Sequence, residues 1–204
     1  MATNRKTAFL PVGAEQYMRA KLAEGAGLAL IAAGIVLFVT LISYNSSDPS
    51  LNTASGGAIA NITGLAGAMV SDILLQTLGL AGGLLVIVAI GWGWRLWKDH
   101  ELHRPWLRIG LLPIGLLAAS VALAVARIPD SWPLGSGLGG YAGTLLLTAL
   151  LNQADQFALT LDIRIIGVGA AVLAAPVLFF VIAFSGTEWR HGAQRTVGIM
   201  RRGR

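Results

Sequence analysis

The sequence predicts an all-α membrane protein with four transmembrane helices, arranged as two parallel-repeat hairpins that each carry a short periplasmic or interfacial helix. Three observations carry that expectation. First, 55% of the 204 residues are hydrophobic and only 12% are charged, with a mean hydropathy of +0.69, about half the charge of an ordinary soluble domain. Second, four apolar stretches of about 18–20 residues match the thickness of a hydrocarbon core. Third, the basic residues fall between those stretches in an alternating way.

The chain divides into a cytoplasmic N-terminal segment (1–24), a four-span domain (25–184) and a basic cytoplasmic tail (185–204), read as the start of a linker. The spans are Gly25 to Tyr44, Leu78 to Trp97, Ile109 to Ala126 and Ile165 to Phe184, with periplasmic connections at 45–77 and 127–164. Arg95 is the one charge within a span, near enough to its end to snorkel. The first span is full length and follows a long mixed-charge head with Glu15 and Glu24, which fits an uncleaved anchor better than a signal peptide.

Orientation follows from lysine and arginine. All but Arg127 and Arg164 of the 15 basic residues lie in the N-terminal segment, the middle connection or the tail. The opposite face holds Asp48, Asp72, Asp130, Asp155 and Asp162. Both termini are therefore expected in the cytoplasm. The formal charge of +5 reflects topology rather than nucleic-acid binding.

The two periplasmic connections repeat one plan. Each opens on a polar turn, Asn45-Ser46-Ser47-Asp48-Pro49-Ser50 or Ile128-Pro129-Asp130-Ser131-Trp132-Pro133. Each continues with small residues at every fourth place, including Gly56 and Gly64 in the first and Gly135, Gly139 and Gly143 in the second. Glycines, among them Gly79 and Gly83, mark the following span starts. Small residues four apart share a helix face and let backbones approach, so these glycines are candidates for helix packing within or between subunits. The stretches near Ile59 to Leu75 and Leu138 to Leu151 are too short or too polar to cross, and read as interfacial or re-entrant helices.

Catalytic chemistry finds little support. Absent cysteines exclude disulfides and thiolate metal sites. His100 and His103 are three apart beside Pro105, not the four that a helical zinc pair requires, so no metal is expected. No phosphate-loop motif occurs, the spans hold no histidine to activate a nucleophile, and no cofactor is expected in this chain. The run Trp92, Trp94, Trp97 and Trp106 reads as interfacial anchors at headgroup level. A small transporter or channel subunit is the alternative reading, although transporters generally keep ionisable groups within their spans.

The run from Leu41 through Tyr44 and Asp48-Pro49, then Asn61 through Gly64-Leu65-Ala66-Gly67-Ala68 to Asp72 and Gly79, resembles the N-terminal membrane domain of the FtsK/SpoIIIE DNA translocases, closest to the proteobacterial FtsK type. The likeness extends from about Gly25 to Phe184, and departs where Ser46-Ser47 replaces a proline common before the aspartate. It implies an inner-membrane anchor and oligomerisation domain of a septal translocase, acting in cell division and chromosome segregation. It further implies a lipid bilayer, a hexameric homo-oligomer and other division-septum membrane proteins as partners. ATP, Mg and DNA would be engaged only by a cytoplasmic motor that these residues do not encode, so the chain itself is not an enzyme. Tyr44, Asp48, Pro49, Asn61 and Asp72 match the loop motif and are candidates for a turn or a partner surface.

Overall fold

The computed structural model describes residues 14–50, 57–130, 132–159 and 161–182. Gly56, Phe184 and the basic tail fall outside them, as do Arg5 and Lys6. The described residues form six α-helices and no strand: α1 (Ala14–Ile42), α2 (Gly64–Leu78), α3 (Leu84–Asp99), α4 (Pro105–Ala124), α5 (Gly140–Gln156) and α6 (Ile163–Val181). A 3-10 turn, Gly79–Gly83, joins α2 to α3. Among the described residues four helical runs are long and apolar enough to cross a membrane, the second being the whole of Gly64–Asp99. The chain is a multi-pass membrane protein.

The helix limits follow local chemistry. Within the second run α3 starts at Leu84, because Gly79 adopts φ +61° and breaks the run from α2. That left-handed geometry suits glycine, and the neighbouring Leu80 N–H then donates to Leu138 O of the second repeat at 2.9 Å. The third helix starts earlier, at Pro105, since a first-turn proline lacks only an N–H that would go unused. Arg108 consequently lies within α4, in its first turns. Asp162 caps α6 by accepting from Arg164 N–H at 2.8 Å. Pro113 and Pro176 sit inside continuous helices.

Helices α1 and α3 pack antiparallel, as do α4 and α6, giving two hairpins. Glycines bring the backbones together: Gly27 faces Gly93, Gly34 faces Ala89 and Ile90, and Gly115 faces Val177 and Leu178. The short helices join the hairpins, with α2 against α5 and the 3-10 turn against α4. Ala81 of that turn is fully buried among Ala118, Ala119, Ala174 and Leu178. Ser120 Oγ of α4 also donates to Leu78 O at 3.1 Å. One end of the bundle gathers Arg19, Lys21, Arg95, Lys98 and Arg104, tied across by Glu24 to His100 at 3.7 Å. The other end holds Asp48, Asp130, Asp155 and Asp162. Outward faces are apolar, as helices dissolved in lipid require.

Candidate functional site

Two polar constellations stand out, one at each end of the bundle. At the acidic end the chain leaves α1 through Tyr44 and turns back into α2. Asp48 is 4% exposed, and its two carboxylate oxygens accept the backbone N–H groups of Ala60 and Asn61, each at 2.8 Å. Asn61 extends this pin in both directions. Its Nδ2 donates to Thr40 O at 3.0 Å and Ser43 O at 3.3 Å, at the end of α1. Its Oδ1 accepts from Thr63 N at 3.1 Å and Thr63 Oγ1 at 2.7 Å, forming the turn that opens α2. Thr40 and Thr63 hydroxyls meet at 2.8 Å, and Ile62 N–H donates to Ser43 Oγ at 3.2 Å.

Asp72, about two turns along α2, is also 4% exposed. It accepts from Tyr44 OH at 3.0 Å and Gln76 Nε2 at 2.8 Å. Buried polar groups are tolerable only when so paired.

Asp48, Asn61 and Asp72 therefore point inward, each engaged within the chain. Pro49 and Tyr44 are half-buried. In the described structure these residues shape the turn, with the polar groups of Asp48, Asn61 and Asp72 engaged within the chain. Thr40, Ser43, Thr63, Ser71 and Gln76 belong to the same network and were not singled out by sequence. Their signal was there, in hydroxyl and amide residues clustered around an otherwise apolar helix end.

The basic end carries the second constellation. Arg108 is 6% exposed. It donates from Nη1 to Phe180 O at 2.8 Å and Val181 O at 3.2 Å, and from Nε to His103 O at 2.8 Å. Its guanidinium also lies over the Phe180 ring, 4.9 Å from the centroid. Trp92 Nε1 of α3 reaches Val181 O at 2.6 Å, and a side chain at Gly91 would strike Ile182 O. The last described turn of α6 is thus held from α3 and α4 together. Arg108, read from sequence as a topology marker, is a buried helix cap.

Trp92 likewise turns inward and bonds to α6, whereas Trp94, Trp97 and Trp106 remain exposed. Trp94 and Trp97 meet edge to face at 5.2 Å, and Trp106 is 84% exposed.

The glycines divide similarly. Gly79 abuts Leu138 O and Gly140 N, and Gly139 and Gly143 abut Ser120 O on α4. Gly64, Gly83 and Gly135 face open space among the described residues. The close approaches at Gly27, Gly34, Gly91, Gly93, Gly115 and Gly167 lie on the crossing helices themselves.

Comparison with known proteins adds independent information. The family described as the 4TM region of DNA translocase FtsK/SpoIIIE matches residues 19–197. A DNA translocase FtsK of Azospirillum brasilense is 34% identical across 100% of this chain, which covers 32% of that relative. One of Caulobacter vibrioides is 36% identical across 79% of the chain and 19% of its own length. One of Bradyrhizobium diazoefficiens is 34% identical across 69% of the chain and 17% of its own length. The chain thus spans about a third or less of these curated relatives. No solved structure matches.

Proposed function

This chain belongs to the family of the 4TM region of DNA translocases FtsK/SpoIIIE, and on that premise we propose that it is the membrane anchor and assembly domain of a septal DNA translocase. It sits in the bacterial inner membrane with both termini in the cytoplasm, and serves cell division and chromosome segregation. ATP-driven movement of DNA belongs to regions of the parent protein outside these residues. The chain contributes position and assembly: it fixes a motor to the membrane and brings copies together, in a hexamer, beside other division-septum proteins.

The observation that carries this reading is the match across residues 19–197 to a domain whose four spans expose apolar faces on nearly every helix. Such a domain is built to be surrounded, by lipid or by neighbours. The polar groups support the same view. The Asp48–Asn61 network and the Arg108 cap sit at opposite ends, with their hydrogen bonds made inside the chain. A transporter would instead line a wet path between its spans.

A fluorescent fusion of the chain, expressed in dividing cells, tests the cellular part. Concentration at the constriction is expected; uniform envelope labelling overturns the septal role. Rings or clusters in mild detergent are expected of the purified domain, and strictly monomeric behaviour at high concentration removes the assembly role.

A further inference from the structure

The two hairpins share one packing register, and one of them is missing what the other has. Gly34 of α1 seats against Ala89 and Ile90 of α3, and Gly115 of α4 seats against Val177 and Leu178 of α6. Counting from those fixed points, Phe38 corresponds to Ala119, Ile42 to Leu123, Val86 to Ala174 and Ile90 to Leu178. In the second hairpin these positions form the seat that encloses Ala81, which is 0% exposed. The occupant comes from the first repeat, on the 3-10 turn that follows α2. In the first hairpin the equivalent positions Phe38, Ile42, Val86 and Ile90 line an open apolar groove of about 670 Å3, which Leu80 of the 3-10 turn and Trp132 and Pro133 of the second repeat border without filling. Phe38 remains 51% exposed there.

If the repeats were related by a closed two-fold, each would fill the other's seat. Only one direction is satisfied. The unfilled seat has an equally unpartnered counterpart. The turn after α2 begins at Gly79 with φ +61° and ψ −140°, and the segment after α5 also bends at a positive φ, +55° at Ala158. In the first repeat that segment plugs a seat. In the second, Phe157, Leu159 and Leu161 flank the same bend as exposed apolar side chains, Leu159 at 55%. A surface with one unfilled socket and one unused plug is a heterologous interface waiting for a copy of itself.

We infer that the groove between α1 and α3 receives the Phe157–Leu159 segment of a second copy of this chain, continuing head to tail the contact that joins the two repeats internally. This rests on the assembly reading above and says which surfaces carry it. The plug lies between Asp155 and Asp162 at the acidic end of the bundle, and the socket opens at the same end of α1, where Tyr44 and Trp132 border it, so docking removes exposed apolar side chains from water as well as packing them. Parallel repeats are related about an axis along the membrane normal. Repeating the internal relation therefore keeps every copy in the same orientation to the bilayer, the condition for closing a ring.

The chain lacks cysteine, so introduced pairs report cleanly. Two differently tagged forms, Phe38→Cys and Leu159→Cys, are co-expressed in membranes and treated with a bis-maleimide. The expected result is a mixed dimer joining the two tags, with neither form cross-linking to itself. A third form, Leu159→Glu, is expected to abolish oligomers while keeping wild-type helicity. Phe38 cross-linking to Phe38 across two-fold faces overturns the inference. So does persistence of oligomers without the mixed cross-link, or with Leu159→Glu; an acyl chain or another protein then occupies the groove, and the assembly role survives. Absence of any oligomer from the wild-type chain removes the assembly role itself and this inference with it.

Discussion

Replacing Asp48 by asparagine probes the pin that joins α1 to α2 while preserving its shape. In the native chain the two carboxylate oxygens accept Ala60 N–H and Asn61 N–H, each at 2.8 Å. An amide keeps one acceptor and turns the other into a donor aimed at a backbone N–H. One hydrogen bond to a charged group is lost, at about 1.5–3 kcal/mol, and a buried donor is left without an acceptor, at about 1–3 kcal/mol. Against these stands the relief of burying a neutral group in place of a charge at a site 4% exposed. The balance is a destabilisation of about 2–3 kcal/mol. Reversible unfolding of the purified chain in mixed micelles by titrated SDS measures it. Asp48→Asn within about 0.5 kcal/mol of wild type, the range of an ordinary surface change, would refute the reasoning and return Asp48 to the surface.

Arg108→Met removes three hydrogen bonds and a buried charge together, and is expected to cost about 2–4 kcal/mol in the same assay, with Arg108→Lys intermediate because an ammonium cannot span His103 O and Phe180 O as a fork does. A cost near zero for Arg108→Met would show that α6 does not need its cap. Gly79→Ala meets both a left-handed φ and the Leu138 carbonyl, and is expected to lose about 3 kcal/mol or fail to accumulate. Gly83→Ala meets open space at an ordinary helical φ of −63° and is expected to be neutral or stabilising by about 0.5–1 kcal/mol; equal effects at the two glycines would contradict the placement.

Much of the architecture was legible because lipid imposes a coarse code. Continuous apolar runs with basic residues between them leave few arrangements, and the four crossing helices lie close to their expected places. The repeat was visible as two turns of like composition, Asp48-Pro49 and Pro129-Asp130. What escaped was direction. Composition says that Trp92 and Arg108 lie at a helix end but not that both turn inward onto α6, since indole and guanidinium serve equally well at headgroup level or as caps. The glycine spacing in the connections was conspicuous, yet Gly64 and Gly135 meet nothing among the described residues. Gly27, Gly34 and Gly115 carry the helix crossings while hiding among other small residues. The loop motif was similarly ambiguous: Asp48, Asn61 and Asp72 could have been a face or a fastening. Only geometry separates a carboxylate that looks outward from one that accepts two backbone N–H groups.

The central claim is that lipid surrounds this bundle with its basic end toward the cytoplasm, and single cysteines test it most directly. Ser46→Cys and His103→Cys are placed singly in the cysteine-free chain and exposed in spheroplasts to a membrane-impermeant maleimide. Labelling of Ser46→Cys in intact spheroplasts, and of His103→Cys only after lysis, is the predicted result. The reverse pattern, or equal labelling of both before lysis, contradicts the account.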